Sequence, residues 1–309
     1  MFRYEVIIQR PSTFRNLTGI SVAEFAELYQ RFVPLWKHSE QQRLQRKERQ
    51  RAIGAGRKYE LDLGSQLVLT LVWLHWYLNT ETLGLLFGVD KATVSRNTRR
   101  VVGVLRQLGE DTVWWHEPPG KYEGKSLAQA LVENPDLLAV LDVMEVTVQR
   151  PKQAEQQTAH FSNKKKAHTR KVGLIVNEQG RIRGVAESQP GRIHDLTLIR
   201  QSGLLPCIPV ETTVVGDKAF RGLQNDLPNH SVGCPFKPGK NTPLYEAEKW
   251  ANRDLSRQRI IVENTICELR HFKNLSTRFR HAVHRVSEVV YAVIAIINPR
   301  IARRLASAA

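Results

Sequence analysis

Three carboxylates stand in contexts that suit a metal-dependent nuclease: Asp142, Asp217 and Glu263. Asp142 lies in the apolar run 137–143, which has a proline near each end and therefore predicts a buried strand. An ionised carboxylate in such a strand needs a compensating partner, and a divalent cation can be that partner. Asp217 ends a second apolar run, where Gly216 permits a turn and the end of the strand presents the acid.

Glu263 stands in a stretch whose apolar residues have helical spacing. That spacing places Arg259, Glu263 and Arg270 on one stripe of the helix. One interpretation is an exposed salt bridge between Arg259 and Glu263, one turn apart. A nuclease needs the same layout, because the glutamate can hold a metal while the arginines hold phosphates on either side. The pattern alone leaves both interpretations open.

The order and settings of the three acids resemble those of a known family. Leu-Asp-Val-Met-Glu at 141–145, Gly-Asp-Lys-Ala-Phe at 216–220 and the Arg-Glu-Arg helix are similar to the DDE transposases of bacterial insertion sequences. The branch in question shares its nuclease domain with the eukaryotic Harbinger elements. Further matching motifs lie at 149–151, 161–169 and 190–196. The resemblance covers roughly residues 136 to 300, with a helix-turn-helix before it.

This resemblance implies an α/β ribonuclease-H-like domain, a mixed sheet flanked by helices, preceded by an all-α helix-turn-helix domain. It also implies that Asp142, Asp217 and Glu263 are both catalytic residues and metal ligands. A cage of carboxylates favours Mg²⁺ or Mn²⁺ over Zn²⁺, and two ions would stabilise both the attacking and leaving oxygens. The chain departs from many relatives at two positions, because Ser256 replaces a tyrosine and Arg270 replaces a lysine.

The charge balance favours a nucleic-acid partner. Lysine and arginine number 46 against 30 acids, a formal net charge of +16, so the chain should bind polyanions. One basic run spans 43–51 and could be an exposed helix, either along a DNA backbone or merely solvated. A second run follows the first catalytic strand, and we expect it to contact phosphates; it contains Lys164, Lys165, Lys166, Arg170 and Lys171.

Residues 80–105 have the pattern of a helix-turn-helix. Gly84 is small where two helices would cross, Gly88 permits the turn, and Asp90 can cap the second helix. Asn97 departs from the pattern, because it takes an inward position that is usually apolar. The outward residues of the second helix are predicted to reach the DNA major groove; they are Lys91, Ser95, Arg96 and Arg99.

The remaining pattern predicts a helical front and an α/β back. We place a helical DNA-binding domain at 1–110, a connector at 111–135 and the nuclease domain at 136–309. Expected helices include 22–33 and 65–78, and expected strands are 137–148, 171–177, 181–188 and 212–216, with a hairpin turn at 177–180. The three cysteines have no paired spacing, and no apolar run reaches about 20 residues. The sequence therefore suggests a cytoplasmic, nucleoid-associated protein.

Other interpretations stay open. His194 and Asp195 could ligate a cation, although Asp195 could equally cap the following helix; Glu145 faces away from Asp142, and the role of His168 is undecided.

An active transposase would act on double-stranded DNA, the element ends and the target, as a homodimer or higher assembly. A domesticated, catalytically silent DNA-binding protein is the alternative, and the intact acid trio favours the active enzyme. A structure-specific or RNA-directed nuclease on the same fold is a third possibility.

Overall fold

The computed structural model describes residues 1–45, 59–115, 134–239 and 242–306. The chain divides into two compact units. The first consists of Met1–Asp111, Arg270–Thr277 and Glu288–Ile296, and the second of Thr112–Leu269, Arg278–Ser287 and Ile297–Ala309. Two C-terminal segments thus group with the N-terminal residues, which the boundaries expected from the sequence do not include. Those boundaries stay a prediction.

The first unit is built from helices whose starts are encoded locally. A capping box of Ser21 and Glu24 begins one helix. Three later helices begin at a cap residue whose side chain accepts hydrogen bonds from backbone N–H groups of the first turn, namely Asp62, Asn79 and Asp90. The longest of these helices extends well past its expected end at residue 33. The helices are α1 (Tyr4–Ile7), α2 (Pro11–Thr18), α3 (Val22–Leu44), α4 (Leu63–Trp76), α5 (Thr80–Phe87) and α6 (Lys91–Glu110).

Helices α5 and α6 form the predicted helix-turn-helix geometry. Gly88 ends α5 in the left-handed region with φ of 68°, which a glycine adopts without strain. Gly84 lies against the turn so closely that an added Cβ would be 2.5 Å from the Val89 carbonyl oxygen. Asp90 then caps α6 by accepting from the N–H groups of Ala92 and Thr93. The two glycines therefore have the roles that the sequence predicted.

Asn97 is buried at the inward position that is usually apolar in this pattern. Its side-chain amide donates to the Gln66 carbonyl oxygen at 2.9 Å and to Thr70 Oγ1 at 3.2 Å, both on α4. A buried amide with such partners avoids the full desolvation cost and fixes how α6 lies on α4. The departure from the usual pattern thus has a local structural reason.

The described residues of the second unit form a seven-stranded mixed sheet. Strand β1 pairs antiparallel with β3 and parallel with β6, giving the order β2-β3-β1-β6-β7, while β4 and β5 also pair with β3. The turn after β3 is the expected hairpin, in which Gly180 has φ of 80°. The strands are β1 (Leu138–Thr147), β2 (Phe161–Ser162), β3 (Ala167–Asn177), β4 (Ile182–Val185), β5 (Gln189–Pro190), β6 (Thr213–Val215) and β7 (Val232–Gly233).

Helices flank this sheet and complete its core. One apolar cluster joins Leu141 and Val214 of the sheet to Leu198 and Phe220 beside it. This unit contains α7 (Ala154–His160), α8 (Asp195–Gln201) and most of α9 (Glu246–His271), whereas α10 (Lys273–Ser276) and much of α11 (Arg285–Ala306) group with the first unit. In the part of the chain that the structure describes, no helix is long and apolar enough to span a membrane.

A buried ion pair fastens the start of β1 to the neighbouring hairpin. Arg183 Nε donates to Asp136 Oδ1 at 2.9 Å, and the two side chains are 1% and 2% exposed. The Asn177 amide donates to the same oxygen at 2.7 Å. Thr212 Oγ1 donates to the Asp136 carbonyl oxygen, which links the chain before β1 to the chain before β6. These contacts connect the segments that lead into β1, which carries Asp142, and into β6, which ends two residues before Asp217.

Candidate active site

The parallel pairing of β1 and β6 brings two of the predicted acids to one place. Val140 is paired with Val215, and each acid follows its paired valine by two residues. Asp142 is partly buried, and burial is the main cause that raises the pKa of its carboxyl above the ordinary value of 3.8. The Val143 N–H, which donates to Oδ1 at 2.7 Å, lowers this pKa, whereas the negative charge of Asp217 raises it. The two carboxylates are therefore close enough to repel one another.

Glu263 lies on α9 and forms the salt bridge that was one of the two interpretations of its spacing. Arg259 Nη2 is 3.3 Å from Glu263 Oε1, and the glutamate side chain is 55% exposed. Arg259 itself is more buried, and its positive charge lowers the pKa of Asp142. One guanidinium thus acts on two of the three acids, because it contacts Glu263 and lies within electrostatic range of Asp142.

The donor set of this site suits a hard cation in part. Asp142 and Asp217 offer carboxylate oxygens, and a divalent cation between them would relieve their mutual repulsion. Among the described residues, no group of three His, Cys, Asp or Glu side chains is placed to hold one ion. The structure therefore brings Asp142 and Asp217 together, while Glu263 forms a salt bridge with Arg259. The assignment of all three as ligands stays a prediction, and the exposure of Glu263 leaves its side chain room to turn.

Glu145 and Asp195, the two other acids that were considered as metal ligands, have other partners. Glu145 points to the opposite face of β1 and accepts a hydrogen bond from Thr169 at 3.0 Å. Asp195 was expected to cap α8 or to bind a metal, but the cap position is taken by His194, whose side chain makes no capping bond. Asp195 instead pairs with Lys171 at 2.7 Å, so the capping interpretation is wrong.

The second helix of the helix-turn-helix presents the predicted DNA-binding face. All four predicted side chains are exposed, namely Lys91, Ser95, Arg96 and Arg99. Lys91 pairs with Glu81 of the preceding helix at 2.9 Å, and Arg96 donates to Thr93 at 3.3 Å. A cationic, solvent-facing stripe on such a helix is suited to a DNA groove. Base contact by these residues stays a prediction.

Comparison with known families agrees with this arrangement. Residues 141–298, just over half of the chain, match the DDE superfamily endonuclease family. The chain belongs to this family. Residues 59–111 match the helix-turn-helix of DDE superfamily endonuclease. A probable transposase for insertion sequence element IS702, from Microchaete diplosiphon, is 28% identical over 231 residues, which are 74% of this chain and 78% of the relative. No solved structure matches this chain.

Membership of the DDE endonuclease family confirms the predicted fold class. The mixed sheet with flanking helices is the ribonuclease-H-like domain, and a helical region with a helix-turn-helix precedes it. Endonucleases of this superfamily generally use divalent metal ions, and the helix-turn-helix implies DNA binding. Both statements agree with the neighbouring carboxylates of Asp142 and Asp217 and with the net charge of +16.

The basic run of this endonuclease separates into two parts. Lys164, Lys165 and Lys166 lie exposed on the turn between β2 and β3, and Lys164 lowers the pKa of Asp142 through its charge. Arg170 is partly buried, donates to the carbonyl and hydroxyl oxygens of Ser188, and has a pKa lowered by desolvation. Ser188 of the same unit is thus a present partner of Arg170. Phosphate contact by Arg170 stays a prediction.

The remaining site residues lie on α3 and α9. In the first basic run, Arg43 is held by Glu40 at 2.8 Å, and the positions from 46 onward lie outside the described residues. Ser256, at the usual tyrosine position, donates to the Asn252 carbonyl oxygen within α9. Arg270 occupies the last turn of the same helix and is partly buried. Phosphate contact by Arg259 and Arg270 stays a prediction.

Proposed function

We propose that this DDE endonuclease is the transposase of an insertion sequence, which binds the terminal inverted repeats of its element, cleaves the DNA strands and transfers them to a target. The observation that carries the proposal is the placement of Asp142 and Asp217, each two residues after a paired valine of the parallel strands β1 and β6, where the charge of Asp217 raises the pKa of Asp142. A structural role would not require two repelling carboxylates at this place. Two such acids are useful where a cation and a phosphate meet.

The residues of the site have distinct roles in this proposal. Asp142 and Asp217 hold Mg²⁺ or Mn²⁺, with two ions as the expected number, and Glu263 completes the ligand set after leaving Arg259. When bound, the metal supplies Lewis-acid stabilisation of the transferring phosphoryl group and of the attacking and leaving oxygens. Arg259, once released from Glu263, is free to hold a phosphate of the bound strand. Arg270, further along the same stripe of α9, holds a second phosphate.

Cleavage and joining use the same site. Water is the nucleophile in the cleavage step, and the freed 3′-hydroxyl of the element is the nucleophile in strand transfer. Neither step needs a covalent bond to the protein. The helix-turn-helix reads base edges at the element ends, while the turn Lys164–Lys166 contacts phosphates near the acids. Because an element has two ends and one target, we propose a homodimer or higher assembly on double-stranded DNA.

Strand cleavage tests this proposal. The substrate is a labelled fragment that carries the terminal repeat from the DNA flanking the coding region, with Mg²⁺ or Mn²⁺ added. Asp142→Asn, Asp217→Asn and Glu263→Gln should each abolish cleavage and leave binding of the fragment nearly unchanged. Glu145→Gln is the matched control, because it removes an acid from the opposite face of β1. Near-normal cleavage by any of the three variants would contradict its assignment, and binding without cleavage by the unaltered protein would favour the silent DNA-binding alternative.

A further inference from the structure

A polar pocket of about 550 Å³ lies in the second unit, and none of Asp142, Asp217 and Glu263 lines it. Its walls come from the chain after β1, from α7 and from the β2-β3 turn. Residues of three sequence motifs meet here, at 149–151, 161–169 and 190–196, and the catalytic proposal uses none of the lining side chains. The lining side chains that matter are Arg150, Gln157, Phe161, Asn163, His168 and Arg192.

The pocket has an aromatic corner. Phe161 and His168 pair across β2 and β3, with ring centroids 5.7 Å apart and planes at 73°. Phe161 is 37% exposed, so part of its ring is accessible to a ligand in the pocket. Two rings at a steep angle leave aromatic surface open to a flat group that enters the pocket.

The polar side chains of the pocket are arranged for an anionic ligand. None of the described lining residues is acidic, and two of them are arginines. Among the described residues, the side chains of Asn163 and Arg192 have no hydrogen-bond partner. Arg150, in contrast, is oriented by Gln157, whose side-chain oxygen accepts from Nη2 at 2.8 Å. Gln157 is fixed in turn by donating to the Pro151 carbonyl oxygen at 2.9 Å.

The backbone around Arg192 is built to bring that residue to the pocket. The Arg192 N–H donates to the Ala159 carbonyl oxygen of α7 at 3.0 Å. The preceding Gly191 packs so closely that an added Cβ would be 2.0 Å from Thr169 Oγ1 and 2.8 Å from the His160 carbonyl oxygen. Only glycine allows this approach, so the position of Arg192 is a fixed feature of the fold.

We infer that this pocket binds an unpaired nucleotide of the DNA substrate. This inference rests on the proposed function, because it assumes that DNA lies across this unit. The base stacks on Phe161, the Asn163 amide meets the base edge, and Arg150 and Arg192 hold the adjoining phosphates. A base inside a duplex has both faces covered by its neighbours and would have to leave the stack to enter such a pocket.

The pocket is connected to the acids through the basic turn. Lys164 follows the pocket residue Asn163 directly, and its charge lowers the pKa of Asp142. A strand that passes over this turn would therefore reach the acids on one side and the pocket on the other. An unpaired nucleotide in the pocket would fix the register of that strand relative to Asp142.

The test compares two fluorescein-labelled 30-base-pair DNAs of random sequence, a perfect duplex and the same duplex with one unpaired thymidine. Affinities are measured by anisotropy with the full chain and without divalent metal. The unaltered protein should bind the bulged duplex more tightly by about 5- to 150-fold, as expected for one stacked base. Phe161→Ala should remove this preference and leave binding to the perfect duplex unchanged. Phe236→Ala is the matched control, because Phe236 is 45% exposed and lies outside the pocket.

Each outcome decides the inference. Equal affinity of the unaltered protein for both DNAs would overturn it and leave the proposed function intact. A preference that survives in Phe161→Ala would place the unpaired base elsewhere and overturn it as well. Absence of binding to both DNAs would contradict the DNA-binding part of the proposed function too, and the cleavage assay would then show the failure independently. Thermal denaturation of both variants checks that they are folded.

Discussion

The close approach of Gly84 to the helix-turn-helix turn predicts a difference between two identical substitutions. In Gly84→Ala, the new methyl group would be 2.5 Å from the Val89 carbonyl oxygen, so the backbone must move by roughly 1 Å to restore an ordinary contact. Forcing atoms into a packed contact of this kind costs about 1–3 kcal/mol. In Gly103→Ala, on the exposed side of α6, the methyl group has no heavy atom within 4 Å.

Comparison of the two variants removes the effect of helix propensity, because both glycines lie within helices and alanine is favoured there by about 1 kcal/mol. Gly103→Ala should therefore raise the melting temperature slightly. Gly84→Ala should melt below Gly103→Ala by the steric cost alone, at about 2–4 °C per kcal/mol. Circular dichroism of the full chain at matched concentration measures both values. Equal melting temperatures would refute the tight crossing of α5 and the turn.

Three further predictions concern the buried pair, the DNA surface and the acids. Asp136→Asn should cost about 3–5 kcal/mol in unfolding free energy by urea denaturation, because it leaves Arg183 buried and charged; a loss below 1 kcal/mol would contradict this. Arg96→Ala should weaken binding to the element end by about 1–3 kcal/mol and binding to random DNA much less. Lys165→Ala should weaken binding to both DNAs equally and lower the slope of log K against log salt by about one. Titrations across a salt series separate the two patterns. Because the pKa of Asp142 is raised in the folded state, ionisation of this carboxyl destabilises the metal-free protein as pH rises above the ordinary pKa of 3.8. Asp142→Asn should therefore raise the melting temperature in EDTA at pH 7.5, and this gain should disappear near pH 4. An equal gain at both pH values would exclude the ionisation as its cause.

The sequence predicted those features that depend on local spacing. The strand that carries Asp142 was evident because an apolar run lies between two prolines, and the Arg259–Glu263 salt bridge followed from one helical turn. Gly84, Gly88 and Asp90 each had a role that the local chain determines. The inward position of Asn97 was also evident, although its partners on α4 were not.

Features that depend on contacts far apart in the chain were not predicted. Asp136 and Arg183 are 47 residues apart, and no spacing rule connects the end of a connector to a strand after a hairpin. The pocket around Phe161 draws residues from three segments whose motifs were visible separately but not as one cavity. Short elements such as α7 and β5 were missed because a few residues carry too little periodicity to identify them.

Direct measurement of metal binding tests the central claim, that Asp142 and Asp217 hold a divalent cation. Mn²⁺ is titrated into the full chain without DNA, and free Mn²⁺ is followed by electron paramagnetic resonance. The unaltered protein and Glu145→Gln should bind Mn²⁺ alike, because Glu145 lies on the opposite face of β1. Asp142→Asn and Asp217→Asn should each weaken binding by at least tenfold. Binding by both variants with the affinity of the unaltered protein would contradict the account.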